Sequence, residues 1–338
     1  MEQVFFGKTN LRVSRTGFGC IPIQRIPYEE STAILRRAYE NGITLFDTAN
    51  AYSTSEDRIG TALGDVRKKI VICTKTGAQT PDGIIAHLEN SLRMLQTDYI
   101  DVLQFHCPGF IPQPGGEDGM YDCLLKAKAE GKIRFIGITA HKKHLAFEAV
   151  ESGLYATMQY PFSYLSSQDE LALIDICREK NVGILGMKSL CGGILTNAKA
   201  AFAFLRRYSE LIPIWGIQKM HELEEIIQYE NNPPVLDNTL LTEIEADRKE
   251  LAQNFCRACG YCLPCPANIP IPMAARMEFL LGRMPAENFR TPEWQENMRR
   301  IEDCTNCGHC KSNCPYELDA PELLKKMNKS YFAGSDSY

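Results

Sequence analysis

The sequence predicts an α/β protein: a (β/α)8 TIM barrel followed by a small, ferredoxin-like, mainly helical iron–sulfur domain at the C-terminal end. Three observations predict this architecture, namely eight short apolar runs, helical patterns between these runs, and a set of closely spaced cysteines near the end of the chain. Strands that alternate with helices in this number are typical of a parallel barrel. We therefore expect the barrel to span residues 1–232 and the second domain to span residues 233–338.

The predicted strands are near-continuous apolar runs, as expected for a parallel sheet that is buried on both faces. In chain order they occupy residues 15–20, 42–49, 69–75, 99–106, 133–140, 155–160, 182–189 and 211–217. Helical patterns lie between them, for example over residues 31–42, 82–96 and 167–181. An open, doubly wound sheet is the alternative, but no GxGxxG follows the first strand, and this favours the barrel.

The end of the barrel is marked by residues 230–238, which read ENNPPVLDN and are predicted to form a linker. Consecutive prolines cannot continue a helix, so the last barrel helix is expected to stop there. We expect a helix over 242–255 and two further helices, over 273–284 and 292–301, that separate two runs of cysteines.

The composition argues against two classes of partner. The net charge is −5 and the chain has no long block of Lys or Arg, so binding to nucleic acid is not expected. No apolar run reaches the roughly 18 residues of a membrane span, and the first residues lack a signal-peptide pattern. We expect a cytoplasmic protein with no membrane partner.

Eight of the 14 cysteines lie between residues 256 and 314. The second run, CTNCGHCKSNCP at 304–315, has the C-x2-C-x2-C-x3-C-P spacing with which bacterial ferredoxins hold iron–sulfur clusters. The first run, CRACGYCLPCP at 256–266, differs only in its last gap. The alternative is zinc in two sites of four thiolates, but zinc ribbons show pairs of cysteines, so two [4Fe–4S] clusters are favoured.

In ferredoxins with two clusters, the fourth cysteine of each run binds the cluster of the other run. The same pattern here predicts two sets of four metal ligands. One set is Cys256, Cys259, Cys262 and Cys314, and the other is Cys304, Cys307, Cys310 and Cys265.

Polar side chains stand at the ends of three predicted strands, where the reactive groups of parallel barrels lie. Asp47 lies near the end of the second strand and Tyr52 follows it, Lys75 ends the third strand and His106 ends the fourth. A structural ion pair between Asp47 and Lys75 would by itself explain why two charged residues occur there.

These residues lie in segments that resemble the aldo-keto reductase family over about residues 1–230: FDTANAYSTSEDRIGTAL, KTG, SLRMLQTDYIDVLQFH and EGKIRFIGITAH. With its cysteine runs, the chain resembles the ferredoxin-fused branch of that family. The resemblance implies an oxidoreductase that interconverts a carbonyl and an alcohol, with Asp47, Tyr52, Lys75 and His106 as the catalytic tetrad. Tyr52 would donate the proton, Lys75 would lower the pKa of Tyr52, Asp47 would hold Lys75, and His106 would donate a hydrogen bond to the carbonyl oxygen.

The resemblance also implies NADP(H) or NAD(H), whose carboxamide is held in the family by a Ser-Asn pair and a Gln. Here Thr139 and Ala140 end the fifth strand, so the Asn is absent, whereas Gln159 is present on the sixth. Met187 or Lys188 replaces the aromatic residue that stacks on the nicotinamide.

The phosphate end of the nucleotide site is the less complete part. Gly216 and a helix start follow the eighth strand and could receive a phosphate. Lys219 is the nearby cation, and Glu222, Glu224 and Glu225 are a poor substitute for the family's arginine.

Two interpretations follow, and the first is favoured. In the first, the nucleotide site has diverged within a branch that uses nicotinamide, or it prefers NAD(H) over NADP(H). In the second, the clusters exchange electrons with the substrate through a flavin or a redox partner such as ferredoxin or a flavoprotein. Two one-electron carriers together match one two-electron turnover. A third hypothesis is an electron-transfer module in which the barrel is a scaffold; the complete tetrad argues against it.

Overall fold

The computed structural model describes residues 1–251 and 255–333. Two compact units are present. The first comprises residues 1–189 and 199–237, and the second comprises residues 190–198 together with the described residues from 238 onward. Nothing in the sequence pattern indicates that residues 190–198, here called the 190–198 segment, group with the second unit.

The first unit is a closed barrel of eight parallel strands, as the sequence predicts. The strands are β3 (Gly17–Gly19), β4 (Leu45–Asp47), β5 (Val71–Thr76), β6 (Ile100–His106), β7 (Ile133–Thr139), β8 (Thr157–Pro161), β9 (Gly183–Met187) and β10 (Leu211–Gly216). Each strand pairs with the next one along the chain, and β10 closes the barrel against β3. All eight predicted strands therefore exist. The register places Asp47 opposite both Gly19 and Cys73, at the carboxyl end of β4.

Helices follow the strands in alternation. They are α1 (Tyr28–Glu40), α2 (Ser55–Leu63), α3 (Pro81–Met94), α4 (Met120–Ala129), α5 (Lys143–Glu151), α6 (Gln168–Glu179), α7 (Ala198–Leu205) and α8 (Met220–Asn231). Local sequence signals set several of their starts. Thr80 caps α3 ahead of a proline, and Ser167 and Glu170 form a reciprocal capping box on α6.

An antiparallel hairpin precedes the barrel and was not predicted. It consists of β1 (Gln3–Phe5) and β2 (Arg12–Ser14). Phe6, Leu11 and Val13 pack with Leu45 and with the residues that begin other barrel strands. The hairpin therefore covers the amino-terminal ends of the strands, opposite the end at which parallel barrels place their chemistry.

Phe6 directly follows β1, and Phe6→Ala is expected to destabilise the protein. The Phe6 ring is fully buried and lies so close to Gly183 that a Cβ there would come within 2.5 Å of it. Removing the ring leaves a cavity, and we expect a loss of about 3–5 kcal/mol in the free energy of unfolding. Denaturant unfolding of the full chain, followed by circular dichroism, measures it. Phe5→Ala is the matched control because Phe5 is 68% exposed; equal losses in the two variants would contradict the prediction.

The second unit is helical. Its helices are α9 (Asn238–Leu251), α10 (Ile271–Ala274), α11 (Met277–Arg283), α12 (Pro292–Arg299), α13 (His309–Ser312) and α14 (Ala320–Ala333). Met277, Leu280, Met298, Leu324 and Tyr331 contribute to its core. The helix expected over 242–255 forms as far as Leu251, and residues 252–254 lie outside the described residues. Within the described ranges, no helix is both long and apolar enough to cross a membrane.

The single helix expected over 273–284 is instead two helices. The chain leaves helical geometry at Arg276 (φ −118°, ψ 2°), which precedes the first turn of α11. Arg276 is 3% exposed, and its guanidinium donates hydrogen bonds to backbone carbonyl groups of the 190–198 segment. This tertiary interaction, which a local sequence pattern does not report, accompanies the break.

Candidate active site

A buried ion pair lies at the carboxyl ends of β4 and β5. Asp47 is 4% exposed and Lys75 is 1% exposed. The Lys75 Nζ lies 2.9 Å from Asp47 Oδ1 and 2.8 Å from Oδ2, and donates a third hydrogen bond to the Thr48 carbonyl at 2.6 Å. All three ammonium donors are therefore used, which is the condition under which a buried charge is tolerated.

Burial and charge act in opposite directions on this pair. Burial alone would lower the pKa of Lys75, but the Asp47 carboxylate raises it above the ordinary value. Burial raises the pKa of Asp47, and the charge and hydrogen bonds of Lys75 oppose that rise. Lys75 is therefore held as an ammonium.

Two glutamines complete the surroundings of Asp47. Gln104 Nε2 donates to Asp47 Oδ1 at 3.5 Å, and Gln159 Nε2 donates to Oδ2 at 3.3 Å. Gln104 was not identified from the sequence. The residue could have been found because it is polar within the apolar run of β6 and lies two positions before His106, on the same face of the strand. Gln159, predicted as a nicotinamide contact, also retains a buried Oε1 that has no hydrogen-bond partner among the described residues.

Tyr52 lies near both the ammonium and the imidazole. Its ring centroid is 5.3 Å from Lys75 Nζ and 6.0 Å from the centroid of His106, with the two rings nearly perpendicular. The structure thus brings together all four members of the predicted tetrad. Burial raises the pKa of Tyr52, and Lys75 opposes this rise without cancelling it. From the sequence, Lys75 is expected to lower the pKa of Tyr52. Lys75 does so, but burial raises this pKa by more.

His106 ends β6 and is mostly buried. Burial, with a smaller effect of the Lys75 charge, lowers the pKa of His106 to about 4. The imidazole is therefore neutral near pH 7, with one N–H that can donate a hydrogen bond.

Three predicted nicotinamide contacts lie at the carboxyl ends of β7 and β9. The Thr139 hydroxyl accepts a hydrogen bond from the Cys107 backbone N–H at 2.9 Å and lies 3.0 Å from the Cys107 Sγ. Met187 is the last residue of β9. Lys188 follows it in the left-handed region, with φ of 60°.

The predicted phosphate site at the start of α8 is already used by a carboxylate of the same chain. The backbone N–H groups of Gln218 and Lys219 donate to Glu222 Oε2 at 2.9 and 3.0 Å. Gly216 and Lys219 are exposed just before this helix. A phosphate would have to displace Glu222, whose negative charge opposes it. The prediction that Gly216 and this helix start receive a phosphate therefore has to account for Glu222.

The eight clustered cysteines line two hollows of the second unit. The walls of the first hollow include Cys256, Cys259, Cys262 and Cys314. The walls of the second include Cys265, Cys304, Cys307 and Cys310. Cys262 and Cys310 border both hollows. Among the described residues, no three His, Cys, Asp or Glu side chains are close enough to hold a single metal ion.

Charge effects between the thiols act mainly within each of the two sets, although Cys310 also raises the pKa of Cys262. Burial raises the pKa of Cys256, and the charges of Cys259 and Cys314 raise it further. Burial raises the pKa of Cys310, to which Cys304, Cys307 and Cys265 add. Burial raises the pKa of Cys262 to about 12. Because a metal ligand must be a thiolate, these buried thiols suit a site in which a bound cluster compensates the charge.

Comparisons with known proteins agree with both units. The family model described as "Aldo/keto reductase family" matches residues 15–203, and the one described as "4Fe-4S dicluster domain" matches residues 255–319. "Aldo-keto reductase YhdN" of Bacillus subtilis (strain 168) is 32% identical over 218 residues, which cover 58% of this chain but just under two thirds (64%) of that protein. "L-galactose dehydrogenase" of Arabidopsis thaliana is 30% identical over 215 residues, covering 58% of this chain and 67% of that protein.

The structural similarity is confined to part of the chain. An aldo-keto reductase from Klebsiella pneumoniae, solved in complex with NADPH, superposes with a TM-score of 0.62 at 22% identity, covering 72% of this chain and 94% of that one. An aldo-keto reductase from Bacillus halodurans, solved in its holo form, gives 0.63 at 21% identity, covering 73% and 96%. At this identity the match establishes the barrel fold.

Proposed function

Because the chain belongs to the aldo/keto reductase family and carries a 4Fe-4S dicluster domain, we propose that it is an oxidoreductase that interconverts a carbonyl and an alcohol of a small-molecule substrate. In this proposal Tyr52 is the proton donor and two [4Fe–4S] clusters carry electrons. The observation on which the proposal depends is the position of Tyr52, with Lys75 Nζ 5.3 Å from its ring and His106 beside it. The domains are proposed to span residues 1–232 and 233–338.

The tetrad would divide the proton chemistry as follows. The Tyr52 hydroxyl gives its proton to the carbonyl oxygen as negative charge develops there. The phenolate that remains faces the Lys75 ammonium, which the Asp47 carboxylate holds in place. The neutral imidazole of His106 donates a hydrogen bond to the same oxygen and stabilises its charge. The reverse reaction uses the same groups in the opposite order.

The barrel fits one end of a nicotinamide nucleotide better than the other. NAD(H) or NADP(H), when bound, exchanges a hydride with the substrate carbon. The unpaired Oε1 of Gln159 can accept a hydrogen bond from a carboxamide, and Thr139 lies nearby on the paired strand β7. Glu222 opposes a phosphate at the start of α8. We therefore propose weak binding of NADP(H), with NAD(H) as the better of the two ligands.

The Glu222 contact also favours a second candidate function. In it the clusters supply or remove the two electrons of the reaction, through a flavin or through a redox partner such as ferredoxin or a flavoprotein. The tetrad keeps its proton chemistry in this version, since a carbonyl still needs one proton at oxygen.

An anaerobic titration of the purified holoprotein decides between the two candidates. NADH and NADPH are added separately while the visible absorbance of the clusters is recorded. Bleaching by either nucleotide, with NADH effective at lower concentration, is expected for the proposed function. Reduction by dithionite alone, together with carbonyl turnover driven by reduced ferredoxin, would support the second candidate. Absence of carbonyl turnover with every donor would contradict both.

A further inference from the structure

Among the described residues, a buried arginine of the second unit has no carboxylate partner. Arg276 is 3% exposed, and its Nη2 donates to the Cys191 and Gly192 carbonyls of the 190–198 segment, at 3.1 and 2.9 Å. Its Nε has no hydrogen-bond partner among the described residues. Within the same residues, no Asp or Glu oxygen forms an ion pair with it.

Arg283 provides the contrast. It donates to the Ile194 carbonyl of the same segment at 3.1 Å, but it also pairs with Asp247 at 2.8 Å and with Glu250 at 2.7 Å. The charge of Arg283 is therefore neutralised by nearby carboxylates. Within the described residues, no carboxylate neutralises the charge of Arg276 in this way. Burying a charge without a counter-ion costs folding free energy.

The chain on the amino-terminal side of Arg276 lies at the first hollow. Ala275, the residue before Arg276, lines that hollow together with Cys256. Burial lowers the pKa of Arg276, and the charges of Cys256 and, to a smaller extent, Cys191 oppose this. In turn, Arg276 opposes the raised pKa of Cys256. A cluster bound by four thiolates would be the anion that this site otherwise lacks.

We infer that Arg276 is the counter-cation of the [4Fe–4S] cluster held by Cys256, Cys259, Cys262 and Cys314, and that its charge raises the reduction potential of that cluster. The inference rests on the proposed presence of two clusters. One-electron reduction adds one negative charge to the cluster, and a cation held in a low-dielectric interior stabilises the reduced form more than the oxidised form.

The effect should be confined to one of the two clusters. The second hollow has an exposed ligand, Cys307, and the charge near its Cys304 is Lys325, whose side chain is 60% exposed and therefore screened by solvent. Arg257 also lines the first hollow, but it is half-buried and its guanidinium lies 4.4 Å from the centre of the Tyr316 ring. Among the residues that the structure describes, Arg276 is thus the buried charge by which the two sites differ.

The test is a spectroelectrochemical titration of the holoprotein under argon, with the reduced clusters assigned by electron paramagnetic resonance. In Arg276→Met we expect one of the two reduction waves to move to lower potential. The equilibrium constant for reduction should fall about tenfold, which is about 59 mV for a one-electron couple. Arg276→Lys should retain most of the native potential because it keeps the charge. Arg283→Met is the matched control and should leave both waves in place.

Unchanged waves in Arg276→Met, equal movement of both waves, or an equal shift in Arg283→Met would each overturn the inference. If Arg276→Met does not retain the cluster, Arg276→Gln and Arg276→Lys decide. Loss of the cluster from both neutral variants but not from Lys supports the role of the charge, whereas loss from all three assigns Arg276 to folding alone. A native protein whose iron content shows fewer than two clusters would instead contradict the proposed function, before any variant is compared.

Discussion

Tyr52→Phe is expected to lower the kcat for carbonyl reduction by a factor of about 10² to 10⁴, the usual contribution of a positioned proton donor. The phenyl ring fills nearly the same space, so the ion pair of Lys75 with Asp47 should persist. The clusters should still be reduced by dithionite, because no cysteine is altered. Steady-state turnover, together with the visible absorbance of the clusters, measures both effects.

Tyr121→Phe is the matched control for this experiment. Tyr121 is buried against Tyr155 and Phe105, and its hydroxyl donates to the Leu154 carbonyl at 2.8 Å. The variant loses one hydrogen bond, worth about 1 kcal/mol of stability, and no proton donor. Turnover in Tyr121→Phe should therefore match that of the native protein. Undiminished turnover in Tyr52→Phe would show that another group protonates the substrate.

Cys314→Ala is expected to remove one cluster and about half of the bound iron. The reason is the proposed exchange of fourth ligands, which assigns Cys314 to the same cluster as Cys256 although the two lie in different runs. A double variant tests the exchange directly. Cys256→Ala combined with Cys314→Ala should lose no more iron than either single variant, whereas Cys304→Ala combined with Cys314→Ala should lose both clusters. Iron analysis and the visible spectrum of protein purified under argon provide the measurement.

Cys123→Ala serves as the control, since Cys123 is a half-buried barrel cysteine whose Sγ lies 3.5 Å from the Pro81 carbonyl. Its iron content should be native. If the Cys256 and Cys314 changes together remove all iron, while the Cys304 and Cys314 changes leave half, each run holds its own cluster and the exchange is wrong.

The barrel, the family and the iron–sulfur domain were all predictable from the sequence, and all three are confirmed. Each gives a local signal: apolar runs of strand length, polar residues at the ends of those runs, and regular spacing between cysteines. Gln104 also gave such a signal, as a single polar residue in a buried strand. The roles of the tetrad and of the eight cysteines remain predictions.

Other features depend on contacts between distant residues, so no local pattern indicated them. The hairpin strands are three residues long, too short to show an alternating apolar pattern in the sequence. Packing of Phe6 and Val13 against the barrel stabilises them. Glu222 looked like an ordinary exposed acid of a helix, yet it accepts hydrogen bonds from two backbone groups ahead of α8. The break at Arg276 coincides with hydrogen bonds to carbonyl groups more than 80 residues away in the chain.

The membership of the 190–198 segment has a consequence for how this protein can be dissected. The second unit is not contiguous in sequence, because it includes the 190–198 segment, which follows β9 in the chain. A fragment that starts at Asn238 would leave the buried guanidinium of Arg276 without its carbonyl acceptors and Glu243 without its contact to Asn197. Genetic fusion of that fragment to another enzyme would therefore transplant an incomplete cluster domain. During synthesis on the ribosome, too, the 190–198 segment emerges before the helices with which it packs.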